Sequence, residues 1–462
     1  MPEKINQFLD SVCAHIKYKS IHQEVRDELH SHINELKDVF SQETQDEESA
    51  LDMAITAMGD CDIVGKNLNK QHQPQTEWSL IGLATIIALI GGIVMYMSSY
   101  SIQTVNFERY LTSVLLGIGV MVSLYFFDYT KLKKLALLLY LLSLAVLVFG
   151  VKNGQTVNGQ IYFFSSRIGF ISSQLIIMPL LISFAGFVDA GRGKGGIAII
   201  KLLIFGLIAS FLMLRFYTIS LALTFTFVFA VILIIAVLRN HFYGRKKLQL
   251  ICLTGTGSLF GLAFFSWFIL DTFRLNRILY FFSKEADPLG SGYQQKIADM
   301  ILSTSNFFGK TTETLNGRGI IELMPEITTN YALVNVIATL GWATGIVLVL
   351  TVAAFVCRML STTRRIKNSY GFYLSLSACS ALAFQFMIGI MLNFNLLPAH
   401  SVSIPFVSYG GTGYIISMAL VGIILSIWRR NNLIPTSTQI TNGNVDSFIK
   451  YNDGRLIINF RT

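Results

Sequence analysis

Two polar segments lie between the apolar runs that follow residue 77, and both contain side chains able to move protons. The shorter segment, residues 393–411, contains His400, an imidazole that could titrate near neutral pH. The longer segment, residues 271–330, contains seven carboxylates, of which five are candidates: Asp287, Asp299, Glu313, Glu322 and Glu326. Such a group, held against a substrate hydroxyl, could act as a general base. A solvated or structural role is the alternative for each of them.

The shorter segment also contains four residues that disturb regular backbone, namely Pro398, Pro405, Gly410 and Gly411. Proline removes a backbone donor, and glycine admits conformations that other residues avoid. Irregular backbone is tolerated at membrane depth only where protein buries it or where it lines a cavity. The two irregular segments between apolar runs therefore predict one site built from both.

Composition excludes a single soluble domain. Of the 462 residues, 53% are hydrophobic and only 14% are charged, against roughly 25% charged residues in a soluble protein. Residues 1–77 contain 15 acidic and 7 basic residues, a net charge of −8, and the remainder has a net charge of +17. The five cysteines include no CxxC pair, which favours reduced thiols over a disulfide framework or a metal site.

Apolar runs of about 20 residues are long enough to cross a bilayer, and ten such runs follow residue 77. Ten crossings place both termini on one side. Fifteen basic residues lie beside one set of alternating loops and only four beside the other. The positive-inside rule therefore predicts that the first set and both termini are cytoplasmic. The predicted spans are residues 78–99, 108–127, 135–151, 168–188, 196–214, 218–238, 249–270, 331–357, 370–396 and 410–428.

The predicted fold is an all-α polytopic membrane protein with ten transmembrane helices and a small cytoplasmic helical N-terminal domain. Residues 1–77 form the helical module and its linker, with amphipathic helices over about 3–16, 21–40 and 46–60. The membrane domain is residues 78–430 and includes the large extracellular loop 271–330. Residues 431–462 form a cytoplasmic tail. The net charge of +9 then records topology, and no nucleic-acid partner is expected.

Several motifs resemble the SEDS family (shape, elongation, division, sporulation), the FtsW/RodA/SpoVE group. Residues 405–413 resemble the family signature PFISYGGSS, and residues 287–294 resemble its D..GAGYQ motif. Asn393 and the Leu397–Pro398 pair resemble the family's LN.G…LP approach. The resemblance covers about residues 78–430 and implies ten helices, cytoplasmic termini and a large outward loop after the seventh helix.

The resemblance implies a role in peptidoglycan synthesis. The family polymerises glycan strands from lipid II at the outer face of the bacterial cell (inner) membrane, and its base is assigned to the Asp of LPEAHTDF. Here that segment matches at Pro325, Glu326 and Thr329, but Asn330 occupies the Asp position. An amide can bind a sugar hydroxyl but cannot accept its proton, and a positioned base is worth about 10²–10⁴-fold in rate.

Other charged motifs of the family are also incomplete. QPSELAK falls on residues 171–177 without its acid and its lysine, and GA.RW falls on residues 159–163 without its arginine. The paired acids after HTDF fall on Ala338 and Thr339. Because the scaffold motifs persist while the charged ones are lost, we predict weak or absent polymerase activity and a regulatory or scaffolding role.

Two alternatives remain open. An active glycosyltransferase could use Glu326, one helical turn before Asn330, or Asp287 as its base. A flippase for lipid-linked precursors would require charged residues along a cavity, and the losses argue against it.

The expected ligand is lipid II or a related undecaprenyl-linked precursor, and the expected partner is a single-pass penicillin-binding protein. The resemblance implies that the ligand would be held by Asp287, Tyr293, Gln294, Pro325, Thr329, Pro405, Ser408, Tyr409, Gly410 and Gly411. We expect no cofactor and no metal centre, although an active enzyme could use a divalent cation. Residues 1–77 resemble a helical signalling module found before membrane domains in Gram-positive bacteria.

Overall fold

The computed structural model describes most of residues 2–433, together with residues 449–452 and 455–458. Within the long range it omits residues 43, 45, 103–104, 154, 158–159, 166–168, 216–218, 270–274, 276–278, 280, 284–291, 316 and 399–400. Two residues singled out in the sequence, Asp287 and His400, therefore lie outside the described residues.

The first four helices share a small hydrophobic core. They are α1 (Pro2–Ala14), α2 (His22–Phe40), α3 (Glu47–Met58) and α4 (Cys61–Gln71), with a 3₁₀ turn at Lys19–Ile21. Their amphipathic faces bury residues such as Leu9, Val25, Ile33 and Leu51. Helix α4 was not predicted. It begins where the Asp60 carboxylate accepts the backbone N–H of Asp62 at 2.8 Å, a standard N-terminal cap.

The membrane domain contains ten apolar helices among the described residues, which confirms the all-α polytopic prediction. Eight are long and apolar enough to cross a membrane: α5 (Trp78–Ser101), α6 (Phe107–Phe126), α10 (Gly196–Arg215), α11 (Ile219–Leu238), α12 (Lys246–Ile269), α16 (Trp342–Arg364), α17 (Ser369–Asn393) and α18 (Gly411–Arg429). Two are shorter: α8 (Ala136–Asn153) and α9 (Ile177–Ala190). The remaining helices are α7 (Thr130–Lys134), α13 (Tyr293–Thr304), α14 (Ile320–Leu323) and α15 (Ala332–Leu340).

Short antiparallel strands lie outside the helices. A three-stranded sheet is formed by β1 (Gln155–Val157), β2 (Gln160–Ser165) and β3 (Gly169–Ser172). Two-residue strands β4 (Thr314–Leu315) and β5 (Arg318–Gly319) form a hairpin, and β6 (Ile449–Asn452) pairs with β7 (Arg455–Ile458). The fourth predicted span, 168–188, is therefore wrong at its start, because β3 and a 3₁₀ turn precede α9.

The eighth predicted span, 331–357, is divided in two. Gly341 separates α15 from α16 and has φ +94°, a left-handed conformation that suits glycine. A Cβ atom here would lie 2.5 Å from the Phe307 carbonyl oxygen, so the large loop packs directly against the break. The long span α16 therefore begins at Trp342, and α15 belongs to the structure that closes the large loop.

Helices α17 and α18 form the centre of the membrane domain, whereas α12 lies at its periphery. The apolar windows of α17 and α18 are each 72% buried, against 6% for α12. Helix α18 packs closely along α6, because a Cβ atom on Gly422 would lie 2.8 Å from the Met121 carbonyl oxygen. Small residues permit this backbone approach, which is the usual basis of helix packing in membranes.

One end of the membrane domain is rich in basic residues, and we call it the basic end. The linker enters there: the Thr76 hydroxyl lies 2.6 Å from the Tyr125 hydroxyl at the end of α6. Next to it, Glu77 forms an ion pair with Arg358 of α16. The Glu77 carboxylate is 7% exposed, so this pair fixes the start of α5 against α16.

Further contacts bring the other helix ends and loops to the basic end. Arg430, after α18, donates to the Phe126 carbonyl, and Lys133 of α7 lies 2.6 Å from the Asp189 carboxylate of α9. The basic residues there are Lys131, Lys133, Lys134, Arg192, Lys194, Arg239, Arg245, Lys246, Lys247, Arg358, Arg364, Arg365, Lys367, Arg429 and Arg430. The opposite end, where α5 and α17 finish, is called the loop end.

His241 at the basic end should make stability dependent on pH. Burial lowers its pKa, with an opposing contribution from its contact with Val188 O at 2.9 Å and from Asp189. Because the unfolded chain binds the proton more tightly, stability is complete above the unfolded pKa of about 6.5 and falls as the pH drops below it. Melting temperatures between pH 5 and 8 should show this decline, and His241→Gln should reduce it. If the wild type and His241→Gln lose the same stability between pH 8 and pH 5, His241 is not the cause of the decline.

Candidate functional site

The segment 324–331 between α14 and α15 is the part of the site that corresponds to the expected base. It is a tight turn around the Glu326 carbonyl, which accepts the N–H groups of Thr329, Asn330 and Tyr331 at 3.1, 3.0 and 3.3 Å. Glu326 itself has φ +57°, which is uncommon for a residue with a side chain. We call residues 324–331 the site turn.

The two candidate catalytic side chains, Asn330 and Glu326, are in direct contact. The Asn330 Nδ2 group donates to the Glu326 carboxylate. Asn330 is 8% exposed, whereas Glu326 is exposed. The carboxylate is therefore fixed beside residue 330 and remains accessible, while the Asn330 amide, which the sequence motif predicts at the family's Asp position, cannot act as a base.

Asn393, the last residue of α17, is completely buried and hydrogen-bonds to the site turn and to the start of α15. Its Oδ1 atom accepts the N–H groups of Leu333 and Val334, both at 3.0 Å, and so caps α15. Its Nδ2 group donates to the carbonyl oxygens of Asn330 at 3.0 Å and Gly389 at 2.7 Å. One amide thus connects α17, α15 and the backbone of the candidate residue.

The loop at 404–410 holds the site turn from its other side. The Ser408 hydroxyl donates to the Thr329 carbonyl at 2.6 Å, and the Tyr409 N–H donates to the Thr328 carbonyl at 2.7 Å. The same hydroxyl also accepts the N–H of Ile404 at 2.7 Å. The structure therefore brings together both segments from which the sequence predicted a shared site.

The two glycines of this loop do not have the irregular backbone expected from the sequence. Gly410 has φ 175°, which is ordinary extended backbone, and Gly411 is the first residue of α18. The unusual residue is Phe406, which is completely buried with φ +65°. Pro405 beside it is also buried. The backbone strain lies at a phenylalanine because the surrounding core fixes that residue.

Gly91 of α5 should be essential for the position of this loop. A Cβ atom there would lie 2.7 Å from the Phe406 carbonyl oxygen and 2.9 Å from the Val407 Cα atom, which are backbone atoms that cannot rotate away. We expect Gly91→Ala to lower the free energy of unfolding by about 1–3 kcal/mol. Gly92→Ala is the matched control, since nothing lies within 4 Å of its Cβ position. Equal melting temperatures for the two variants would contradict this packing.

In the described part of the large loop, helices α13 and α14 pack against the site turn. The Tyr293 hydroxyl donates to the Leu323 carbonyl at 3.1 Å, and Gln294 beside it is half-buried. Asn395, with φ +53°, donates to the Gln295 carbonyl at 2.9 Å and to the Asp299 carboxylate at 2.7 Å. These contacts fasten α13 to the end of α17.

The remaining predicted residues differ in their surroundings. Pro325 is exposed and Thr329 half-buried within the site turn. The side chains of Glu313 and Glu322 are exposed in the large loop. The backbone carbonyl of Glu313 accepts the Ile320 N–H at 3.2 Å. In the described part of the chain, neither carboxylate forms a hydrogen bond with the Asn330 side chain, which donates to Glu326.

A pocket next to the loop was not predicted from the sequence. It is partly open to solvent, and its polar lining consists of Gln174, Ser220, Thr224, Gln385, Ser401 and Ser403. Its lining includes no charged side chain among the described residues. Gln385 could have been found, because an amide inside an apolar span is a signal of a buried polar site.

A possible metal-binding group occurs among the described residues in the N-terminal module and not near the site turn. It consists of Asp60, Cys61 and Asp62, all partly or fully exposed. The capping bond from Asp62 N–H to Asp60 explains the arrangement without an ion.

Comparisons with known proteins agree with this architecture. The family profile FTSW_RODA_SPOVE, described as "Cell cycle protein", matches residues 77–433. The "Probable peptidoglycan glycosyltransferase FtsW" of Trichlorobacter lovleyi is 27% identical over 383 residues, which cover 78% of this chain and 95% of that protein. The protein of the same name from Idiomarina loihiensis is 29% identical over 169 residues, 36% of this chain and 41% of that protein.

A solved structure shows the same fold. It is described as "Structural coordination of polymerization and crosslinking by a peptidoglycan synthase complex", and it matches 77% of this chain and 98% of its own with a TM-score of 0.61 and 21% identity. The match by the family profile covers most of the chain and leaves out the first four helices. The predicted family is thereby confirmed: the chain belongs to the FtsW/RodA/SpoVE family of cell cycle proteins, as a member with a helical module before its membrane helices.

Proposed function

We propose that this chain acts in peptidoglycan synthesis as a SEDS-type protein whose own glycan-strand polymerisation is weak or lost. The family and the names of its curated relatives support the process. The single observation that carries the loss is the Asn330 amide, which occupies the position of the expected base and donates to Glu326. A site of this kind can bind a sugar hydroxyl but has no base at that position.

The ligand in this proposal is lipid II or a related undecaprenyl-linked precursor, bound at the loop end. The accessible groups around the site turn suit such a ligand: Tyr293, Gln294, Pro325, Glu326, Thr329 and Tyr409 are exposed or half-buried. Buried Pro405 and Ser408 would support the loop rather than contact the ligand. Asp287 remains a candidate from the family resemblance alone.

The proposed location is the bacterial inner membrane, with the loop end outside and both termini in the cytoplasm. Fifteen basic residues at the end where the linker enters support this orientation through the positive-inside rule. The proposed partner is a single-pass penicillin-binding protein. The similarity to a structure of a peptidoglycan synthase complex supports this kind of assembly.

A second candidate function is an active glycosyltransferase that uses Glu326 as its base. The contact with Asn330 favours it, because the amide fixes the Glu326 carboxylate beside the family's base position. The flippase alternative receives no such support, since the pocket lining carries no charged side chain among the described residues.

The test is polymerisation of labelled lipid II by the purified protein with its partner, with and without a divalent cation. We expect the wild type to form little polymer in either condition. The deciding variant is Glu326→Ala, and Glu313→Ala, an exposed carboxylate of the same loop, is its control. Abundant wild-type polymer that Glu326→Ala abolishes and Glu313→Ala preserves would reject the loss of activity and establish the second function.

A further inference from the structure

The N-terminal module has a single-sign charged surface on its longest helix. At about 100° per residue, Asp27, Glu28, Glu35 and Asp38 fall within one arc of about 100° on α2, opposite Val25, Leu29 and Ile33. All four carboxylates are exposed. We call these four residues the acidic stripe.

The ion pairs described for lysine and arginine residues of the module do not involve the acidic stripe. Lys4 pairs with Glu48 and Asp52, Arg26 with Asp10, and Lys37 with Glu47. In the described part of the module, the stripe carboxylates have only neutral or histidine contacts, such as Gln23 with Asp27 and His32 with Glu35. The acidic stripe therefore presents four exposed carboxylates on one face of the module.

The linker keeps the module close to the basic end of the membrane domain. Helix α4 ends at Gln71, and Thr76 and Glu77 are already fixed to Tyr125 and Arg358. His72 is still bonded to the Leu68 carbonyl, so residues 73–75 form the tether, and three residues span at most about 11 Å. A tether this short gives the two surfaces an effective concentration of at least the millimolar order.

The basic end presents the complementary charge. Twelve of its fifteen basic residues are exposed, all except Arg358, Arg429 and Arg430. Asp189, one of the acidic groups there, pairs with Lys133 and offsets one of these twelve exposed charges.

From this tether and this complementarity, we propose that the acidic stripe docks onto the basic end of its own chain. The contacts would join Asp27, Glu28, Glu35 and Asp38 to lysines of α7 and of the first turn of α12. The family profile begins at residue 77, so this interface is specific to the chain's additional module. It does not depend on the polymerase activity of the site turn.

Carbodiimide cross-linking of the full-length protein tests the interface, because this reagent joins carboxylates and lysines only when they touch. In nanodiscs of neutral lipid we expect cross-links between residues 27–38 and Lys131, Lys134, Lys246 or Lys247. They should fall several-fold between about 0.1 M and about 1 M salt, where the Debye length decreases from about 10 Å to about 3 Å. Mixing two isotopically labelled preparations identifies links between copies.

Charge-reversal variants supply the controls. Glu28→Lys with Asp38→Lys should abolish most cross-links, whereas Glu3→Lys with Asp62→Lys, the same charge change on other helices, should preserve most of them. Adding Lys246→Glu and Lys247→Glu to the first pair should restore cross-links with the two sides exchanged.

Three results would overturn the proposal. These are absence of cross-links at low salt, cross-links found only between copies, and cross-links that disappear when the nanodisc lipid is anionic. The last result would assign the basic end to phospholipid headgroups in a native bilayer.

Discussion

Exchanging the two side chains in contact at the site turn, by Asn330→Asp with Glu326→Gln, should increase glycan polymer from lipid II by about 10²-fold or more over the wild type. The exchange keeps one amide and one carboxylate, so the hydrogen bond between positions 326 and 330 can form with its direction reversed. The carboxylate then lies at the family's base position. The measurement is single-turnover polymerisation by the protein with its partner.

The single variants separate this explanation from a general effect of charge. Asn330→Asp alone places two carboxylates in contact, and their repulsion opposes ionisation of both. We therefore expect a smaller gain than from the exchange, increased by a divalent cation that neutralises the pair. Glu326→Gln alone should gain nothing. If the exchanged protein has wild-type stability and still forms no polymer, the missing base is not the reason for the low activity.

The membrane architecture could be predicted because it depends on long apolar runs. Ten runs correspond to ten apolar helices, and the basic residues lie at one end of them. The errors are at positions where tertiary contacts override hydropathy. The break at Gly341 follows from the packing of Phe307, about 35 residues earlier in the chain, which no local pattern contains.

The site was predicted less completely than the fold. The two segments that meet were correctly identified, because Ser408 and Tyr409 do contact the turn before α15. The contact between Asn330 and Glu326 agrees with their spacing of four residues. The sequence does not show, however, that Glu326 has a left-handed backbone conformation in this turn. The strain expected at Gly410 lies instead at Phe406, since burial in the core determines which residue is distorted.

Asn393→Ala should have the largest effect on stability of the substitutions considered, about 2–4 kcal/mol in the free energy of unfolding. Asn393 is completely buried and uses its whole amide in four hydrogen bonds. Its loss leaves two N–H groups of α15 unpaired and removes one donor from the Asn330 carbonyl, in a buried environment where unpaired polar groups are costly. Chemical or thermal unfolding in detergent measures the change.

Asn306→Ala is the control for this substitution, because Asn306 is exposed and makes one described side-chain hydrogen bond, to the Lys310 carbonyl at 3.2 Å. It should cost about 0.5 kcal/mol or less. Asn393→Asp retains the oxygen that caps α15 but cannot donate to Asn330 and Gly389, so it should remain well below wild-type stability.

Hydrogen exchange distinguishes a local role of Asn393 from general destabilisation. The Leu333 and Val334 amides are bonded to its Oδ1 atom, so Asn393→Ala should accelerate exchange in residues 330–336 while α13 keeps its protection. Asn393→Asp should leave those two amides protected, because its carboxylate still accepts them. Uniform acceleration through α13, α15 and α17 in both variants would show that Asn393 supports the whole fold and does not specifically position the site turn.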